Sequence, residues 1–218
     1  MKKITLILTL LPLLIFAQDY NIELTNGYKT TTNKVKFLSN GYLLFQDVNG
    51  VHKEKKSKVK SIRPKEYSKD KFVYNQLGLT PYVVVEFDSI SKEKLFKLTT
   101  NWIKETYKNP DKVIKAVIEN KKIRINGYSG YEYTIIISFK DNKYKFEPIE
   151  VISRSQAGEF SIPLSDGSGY YKSNGWPKKP FENFTKEIGE IFENLNNNLK
   201  DYILKHLNEN ANDDSDDW

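Results

Sequence analysis

Over residues 20–67 apolar and polar positions alternate in short runs broken by Asn-Gly pairs. In KVKFL, Val35 and Phe37 share one face and Lys34 and Lys36 the other; GYLLFQ reads as a compact buried strand, and KVKSIRP closes on Pro64. Asn26-Gly27, Asn40-Gly41 and Asn49-Gly50 supply residues that tolerate the positive φ of tight hairpin turns. The pattern predicts a small all-β meander of three or four strands over 18–67. A polar stretch, YSKDKFVYNQLG, then reads as a linker over 68–78.

From residue 79 the periodicity changes. PYVVVEF places Val83, Val85 and Phe87 on one strand face. In SKEKLFKLTTNWIKETYKNP, Leu95, Leu98, Trp102 and Ile103 recur at helical spacing. Ser91 suits the N-cap, Ile90 and Leu95 form a hydrophobic staple, and Asn109-Pro110 stops the helix. VIKAVI and KIRINGY follow as strands. YEYTIIISF alternates with Tyr131, Tyr133, Ile135, Ile137 and Phe139 on one side, and YKFEPIEVI returns with a parity change that predicts a bulge at Glu147-Pro148. A final helix is expected from about Pro180 to Leu207, with Phe184, Ile188, Ile191, Leu195, Leu199 and Tyr202 on its apolar face. Residues 79–207 therefore predict an α+β domain of order β-α-β-β-β-β-α, an antiparallel sheet with both helices on one face. The last residues, NENANDDSDDW, are acidic and non-periodic, so 208–218 reads as a disordered tail.

The segment SKEKLFKLTTNWIKETYKNPDKVIKAVIENKKIRINGY, with GYEYTIIISFKDNKYKFEPIEVI after it, resembles a family of exported Bacteroidetes domains of unknown function with a TATA-box-binding-protein-like fold. The resemblance covers roughly residues 80–152 and implies that fold; it brings no catalytic or ligand residues. A nucleic-acid reader of this shape would use the open sheet face with aromatic wedges and basic residues. Here the outward positions are Tyr82, Val84, Arg124, Thr134, Ile136, Ser138, Lys143 and Lys145, a mixed face without a phenylalanine wedge. No nucleic-acid partner is expected.

The first residues set the compartment. Lys2 and Lys3 precede an uncharged apolar run over 4–16, and Ala17 stands before Gln18. This is the order of a cleavable export signal over 1–17, cut between Ala17 and Gln18. The run is shorter than the roughly 20 residues of a spanning helix, and nothing later is long or apolar enough to span. The reading is an exported protein, periplasmic or secreted, without a transmembrane span in the mature chain. The chain holds no cysteine, which excludes disulfides and thiolate metal sites.

Charge and chemistry add less. The chain carries 34 Lys+Arg against 28 Asp+Glu. Glu209, Asp213, Asp214, Asp216 and Asp217 sit in the tail, so the folded remainder is more basic than the whole. The strip HKEKKSKVK is open to two readings, an anion-binding surface or an edge strand whose charges resist edge-to-edge pairing. His52 and His206 are too far apart in sequence and pattern to suggest a metal site. There is no G-x-S-x-G elbow and no Walker loop, and Asp141, Glu147 and Glu150 read as solvated carboxylates rather than a glycosidase pair. No cofactor is indicated. The expectation is a non-enzymatic binding or structural module of the cell envelope, its partner an envelope protein or glycan; the alternative is a hydrolase of envelope material. The connection over 153–179 is too long for an ordinary loop and too aromatic for plain disorder. Tyr170, Tyr171 and Trp176 in SDGSGYYKSNGWP form either a surface platform for a flat ligand or rings that fold back as a cap.

Overall fold

The computed structural model describes residues 19–213 apart from 39, 66, 69 and 157. The leader, with Ala17 and Gln18, lies outside the described residues, as does the tail from 214 on.

The amino-terminal unit has six strands: β1 (Tyr20–Leu24), β2 (Lys29–Thr32), β3 (Lys34–Phe37), β4 (Tyr42–Asp47), β5 (Gly50–Lys55) and β6 (Val59–Pro64). They form two antiparallel three-stranded sheets, β2-β1-β6 and β3-β4-β5. This corrects the expected meander of three or four strands: β6 returns to pair with β1, Ile62 opposite Ile22. All three Asn-Gly pairs turn the chain with positive φ at Gly27, Gly41 and Gly50. Ile22, Leu24, Val35, Leu43, Phe45, Val59 and Ile62 fill the space between the sheets, and the cluster is completed from far along the chain by Trp176.

The expected linker is not a linker. Residues 74–75 form a short strand β7 (Tyr74–Asn75) that pairs with β8 (Gly78–Leu79). Ser68, Phe72, Tyr74 and Asn75 are buried. The Phe72 amide donates to Glu193 at 2.8 Å, and the Tyr74 hydroxyl donates to the Pro163 carbonyl at 2.7 Å. Phe72 and Tyr74 thus bind segments that sequence places about ninety or more positions away, which a local pattern cannot reveal.

The larger unit contains β9 (Val83–Glu86), α1 (Lys92–Thr106), α2 (Pro110–Val113), β10 (Ile114–Ile118), β11 (Lys122–Tyr128), β12 (Glu132–Lys140), β13 (Lys143–Ser155), β14 (Gly158–Ser161) and α3 (Glu182–Asp213). It is an α+β arrangement around an antiparallel sheet of order β10-β11-β12-β13. The far edge of β13 is shared: its first residues pair with β9 and its last with β14, a strand the sequence did not disclose. Ser91 caps α1, its hydroxyl accepting from the Lys94 amide at 3.2 Å. Asn109-Pro110 ends that helix and starts the single turn of α2. The β12–β13 register shifts so that Thr134 faces Glu150 and Ile135 faces Pro148, leaving Ile149 as the extra residue, one position beyond the expected bulge. Leu95, Leu98, Trp102 and Ile103 of α1 and Ile188, Phe192, Leu199 and Ile203 of α3 pack with Ile123, Ile125, Ile135 and Ile137 of the sheet. The other sheet face is left open. Helix α3 starts two residues after Pro180 and runs to Asp213, six residues into the stretch expected to be a disordered tail.

Candidate anion-binding face

Strand alternation gives the sheet β3-β4-β5 an inner and an outer face. Val35, Phe45 and His52 lie opposite one another on the inner side, with Leu43 beside them. On the outer side Leu44 sits between Lys36 and Lys53, Gln46 between Lys34 and Val51, and Tyr42 opposite Lys55. Lys34, Lys36, Lys53 and Lys55 are exposed. None of the four has an acid partner among the described residues. Lys34 Nζ donates to Gln46 Oε1 at 3.4 Å, and Lys53 Nζ stands 5.0 Å over the Tyr42 ring. Glu54, between Lys53 and Lys55 in sequence, belongs to the opposite face. The basic strip noted in the sequence is thus half of a two-dimensional feature, because β3 brings a second pair of lysines to the same surface.

The open face of the large sheet contrasts with this. Several of its cations are paired in place: Lys145 with Glu147 at 2.6 Å, Lys143 with Glu86 at 3.4 Å, and Arg154 with Glu132 at 2.7 Å and Glu159 at 3.0 Å; Lys122, Arg124 and Lys140 on the same face have no acid partner among the described residues. Tyr82 lies 5.2 Å beneath the Lys145 ammonium. The small sheet differs in that its outer face carries four lysines and no acid.

A part-buried network stiffens one end of that sheet. The Asp47 side chain, only 2% exposed, accepts from the Tyr28 hydroxyl, from the Asn49 amide at 2.8 Å and from His52 Nε2 at 3.0 Å. The His52 ring stacks on Phe45 at 4.7 Å. The hydrogen bond from Tyr28, aided by those from Asn49 and His52, holds the Asp47 carboxyl well below the usual carboxylate range against the opposing effect of desolvation. The same bond raises the Tyr28 hydroxyl above its ordinary value. With these donors committed to Asp47, the network fixes the β4–β5 turn.

The rings singled out in the sequence do not make a platform. Trp176 is 2% exposed, wedged edge-on against Phe37 at 4.9 Å and beneath the Lys56 ammonium at 4.7 Å. Tyr170 packs among Tyr74, Phe181 and Phe184. Tyr171 donates to the Tyr74 carbonyl at 2.9 Å, and burial pushes its hydroxyl up to about 12. Each ring is used internally, so the stretch is a cap. It is also a strap: the Ile62 amide donates to the Asn174 carbonyl at 2.9 Å, tying it to β6.

The carboxylates considered for acid chemistry are dispersed in the same way. Asp141 Oδ1 accepts from the Lys92 amide at 3.0 Å at the start of α1, Glu147 pairs with Lys145, and Glu150 accepts from Thr134 at 2.9 Å. A depression of about 600 Å³ between Phe87, Asp141, Lys143 and Leu207 holds the first of these. Among the described residues no group of three His, Asp or Glu side chains could hold a metal ion, and no helix is long and apolar enough to cross a membrane. The second lysine pair was missed because its signal, Lys34 and Lys36 alternating with Val35 and Phe37, read as an ordinary solvated strand face.

No family model matches the chain, and no curated protein matches it. A solved structure, described as a TBP-like protein from Parabacteroides distasonis, is similar over 56% of this chain and 90% of its own, at 17% identity and a TM-score of 0.44.

Proposed function

We propose that this protein is an exported, non-catalytic binding module of the cell envelope, and that it contacts its partner through the outer face of β3-β4-β5. Export rests on the leader pattern at 1–17, and the larger unit is read as one of the exported TBP-like domains that residues 80–152 resemble. The observation that carries the binding reading is the set of four exposed lysines without acid partners on one sheet face. Lysines scattered only for solubility would be interspersed with acids, and this face carries none. The test is to incubate purified native protein with anionic and neutral envelope fractions and to follow both retention and turnover. Salt-sensitive retention on anionic fractions without turnover is expected. Turnover would establish the hydrolase instead, and absence of retention on any anionic fraction would remove the binding reading. Intact mass of the same sample should show a chain beginning at Gln18; one beginning at Met1 would overturn export by cleavage.

A further inference from the structure

Resting on that reading, we infer that the ligand is an unbranched acidic polysaccharide lying along β4, between two lysine rails. Lys34 and Lys36 form one rail and Lys53 and Lys55 the other. Lysines on one rail are two residues apart, which places them about 7 Å from each other along the strand. The rails flank β4, so they stand about 10 Å apart, two strand spacings. The floor between them is Tyr42, Leu44 and Gln46: one aromatic, one aliphatic and one amide side chain, all half-buried. A chain of pyranose rings sets its C–H-rich faces on such a floor and projects acidic groups from both edges toward the rails. The floor's length, four residue intervals, is about 14 Å.

The same details disfavour other polyanions. Single-stranded nucleic acid is held by a series of aromatic faces on which successive bases stack, whereas this face offers one ring, Tyr42. An anionic membrane would be expected to receive several exposed apolar side chains from the face, but only Val51 projects there well exposed, at 53%. All four cations are lysines. A lysine is a compact point charge on a flexible stem with three rotatable donors, which suits acidic groups repeated along a flexible chain.

The experiment is a titration of the full purified protein with four probes: polygalacturonate oligomers of graded length, their methyl-esterified and hence uncharged counterparts, phosphatidylglycerol-containing vesicles, and single-stranded oligothymidylate. The acidic oligomers should bind and the esterified ones should not, with affinity rising with length and levelling once the oligomer exceeds the floor. Lys34→Gln/Lys36→Gln and Lys53→Gln/Lys55→Gln should each weaken binding roughly 30-fold, since each removes two charges close to an anionic surface. Lys143→Gln/Lys145→Gln on the large sheet should leave it unchanged. Loss from only one of the two rail variants would overturn the bridging geometry. Binding of vesicles or oligothymidylate without acidic oligomers would overturn the ligand class and leave the module reading standing. Failure of every anionic probe would overturn both.

Discussion

Trp176 decides more about this molecule than any other single residue. Its indole lies among Ile22, Leu43, Phe45 and Ile62, in a core whose other members all come from the first 62 positions. Trp176→Ala leaves an indole-sized cavity there and should cost about 3–5 kcal/mol, read as a lower denaturant midpoint for the small unit. A loss well under 1 kcal/mol would show that the ring is not part of that core. Gly175 sets the approach: its φ is +90°, and a Cβ would lie 1.6 Å from the Ile62 carbonyl oxygen. Gly175→Ala should therefore destabilise too, with no apolar surface removed. Asp47 makes the second residue-scale prediction. Its folded-state pKa is depressed, so its contribution is fully present above the unfolded value near 4 and is lost as pH falls through the lower folded value. Thermal stability of the wild type should fall on acidification below about pH 4, and Asp47→Asn should be less stable at neutral pH with a shallower acid limb. An identical acid limb in the two proteins would show that Asp47 contributes nothing to it. That Trp176 would not be left in water was legible from its type. Its destination was not, because the contacts that bury it join positions more than a hundred residues apart, as where Arg63 donates to the Ser173 carbonyl.

At the scale of elements, legibility followed the length of the repeat. β12 alternates over nine residues, and its Tyr133, Ile135, Ile137 and Phe139 are all buried as the parity requires. α1 carried both its cap and its staple in sequence, and both ends lie close to where those signals put them. The two-residue strands β7 and β8 are too short to show any period, so their buried segment read as a linker. The glycine in α3 had no rationale from helix propensity. The structure supplies one: a Cβ on Gly189 would stand 3.2 Å from the Tyr74 amide nitrogen and 3.3 Å from the Phe72 carbonyl oxygen. At Gly189 the helix thus approaches the 72–74 backbone, and Glu193 one turn on takes the Phe72 amide. Limited proteolysis should accordingly spare residues 68–78 in the native protein, although Lys71 is a nominal trypsin site. Gly189→Leu, which must push that segment away, should make it the first site cut. Early cleavage at Lys71 in the wild type would restore the linker.

At the scale of the whole molecule there are two hydrophobic clusters and one chain that crosses between them three times. It passes outward through the buried 68–79 segment, returns through the strap, which leaves the large unit at Ile162 and Leu164 and inserts Trp176 into the small one, and goes back to the large unit with α3. The lysine face therefore sits on a unit whose core is finished by a residue from the other side of the molecule. A six-stranded unit of this size is marginal by itself, since a small chain buries a limited fraction of its surface. Removing its largest buried ring should tip it over. Residues 18–67 expressed alone should be unfolded, with poorly dispersed amide resonances and no retention on acidic polysaccharide. The two clusters of the intact chain should unfold in a single transition, with tryptophan fluorescence and far-ultraviolet dichroism superimposable. Trp176→Ala should separate those curves, the small unit melting first while the large sheet and its helices persist. A well-dispersed spectrum from the 18–67 fragment would show instead that the small unit folds unaided and that the strap only fastens a finished domain in place.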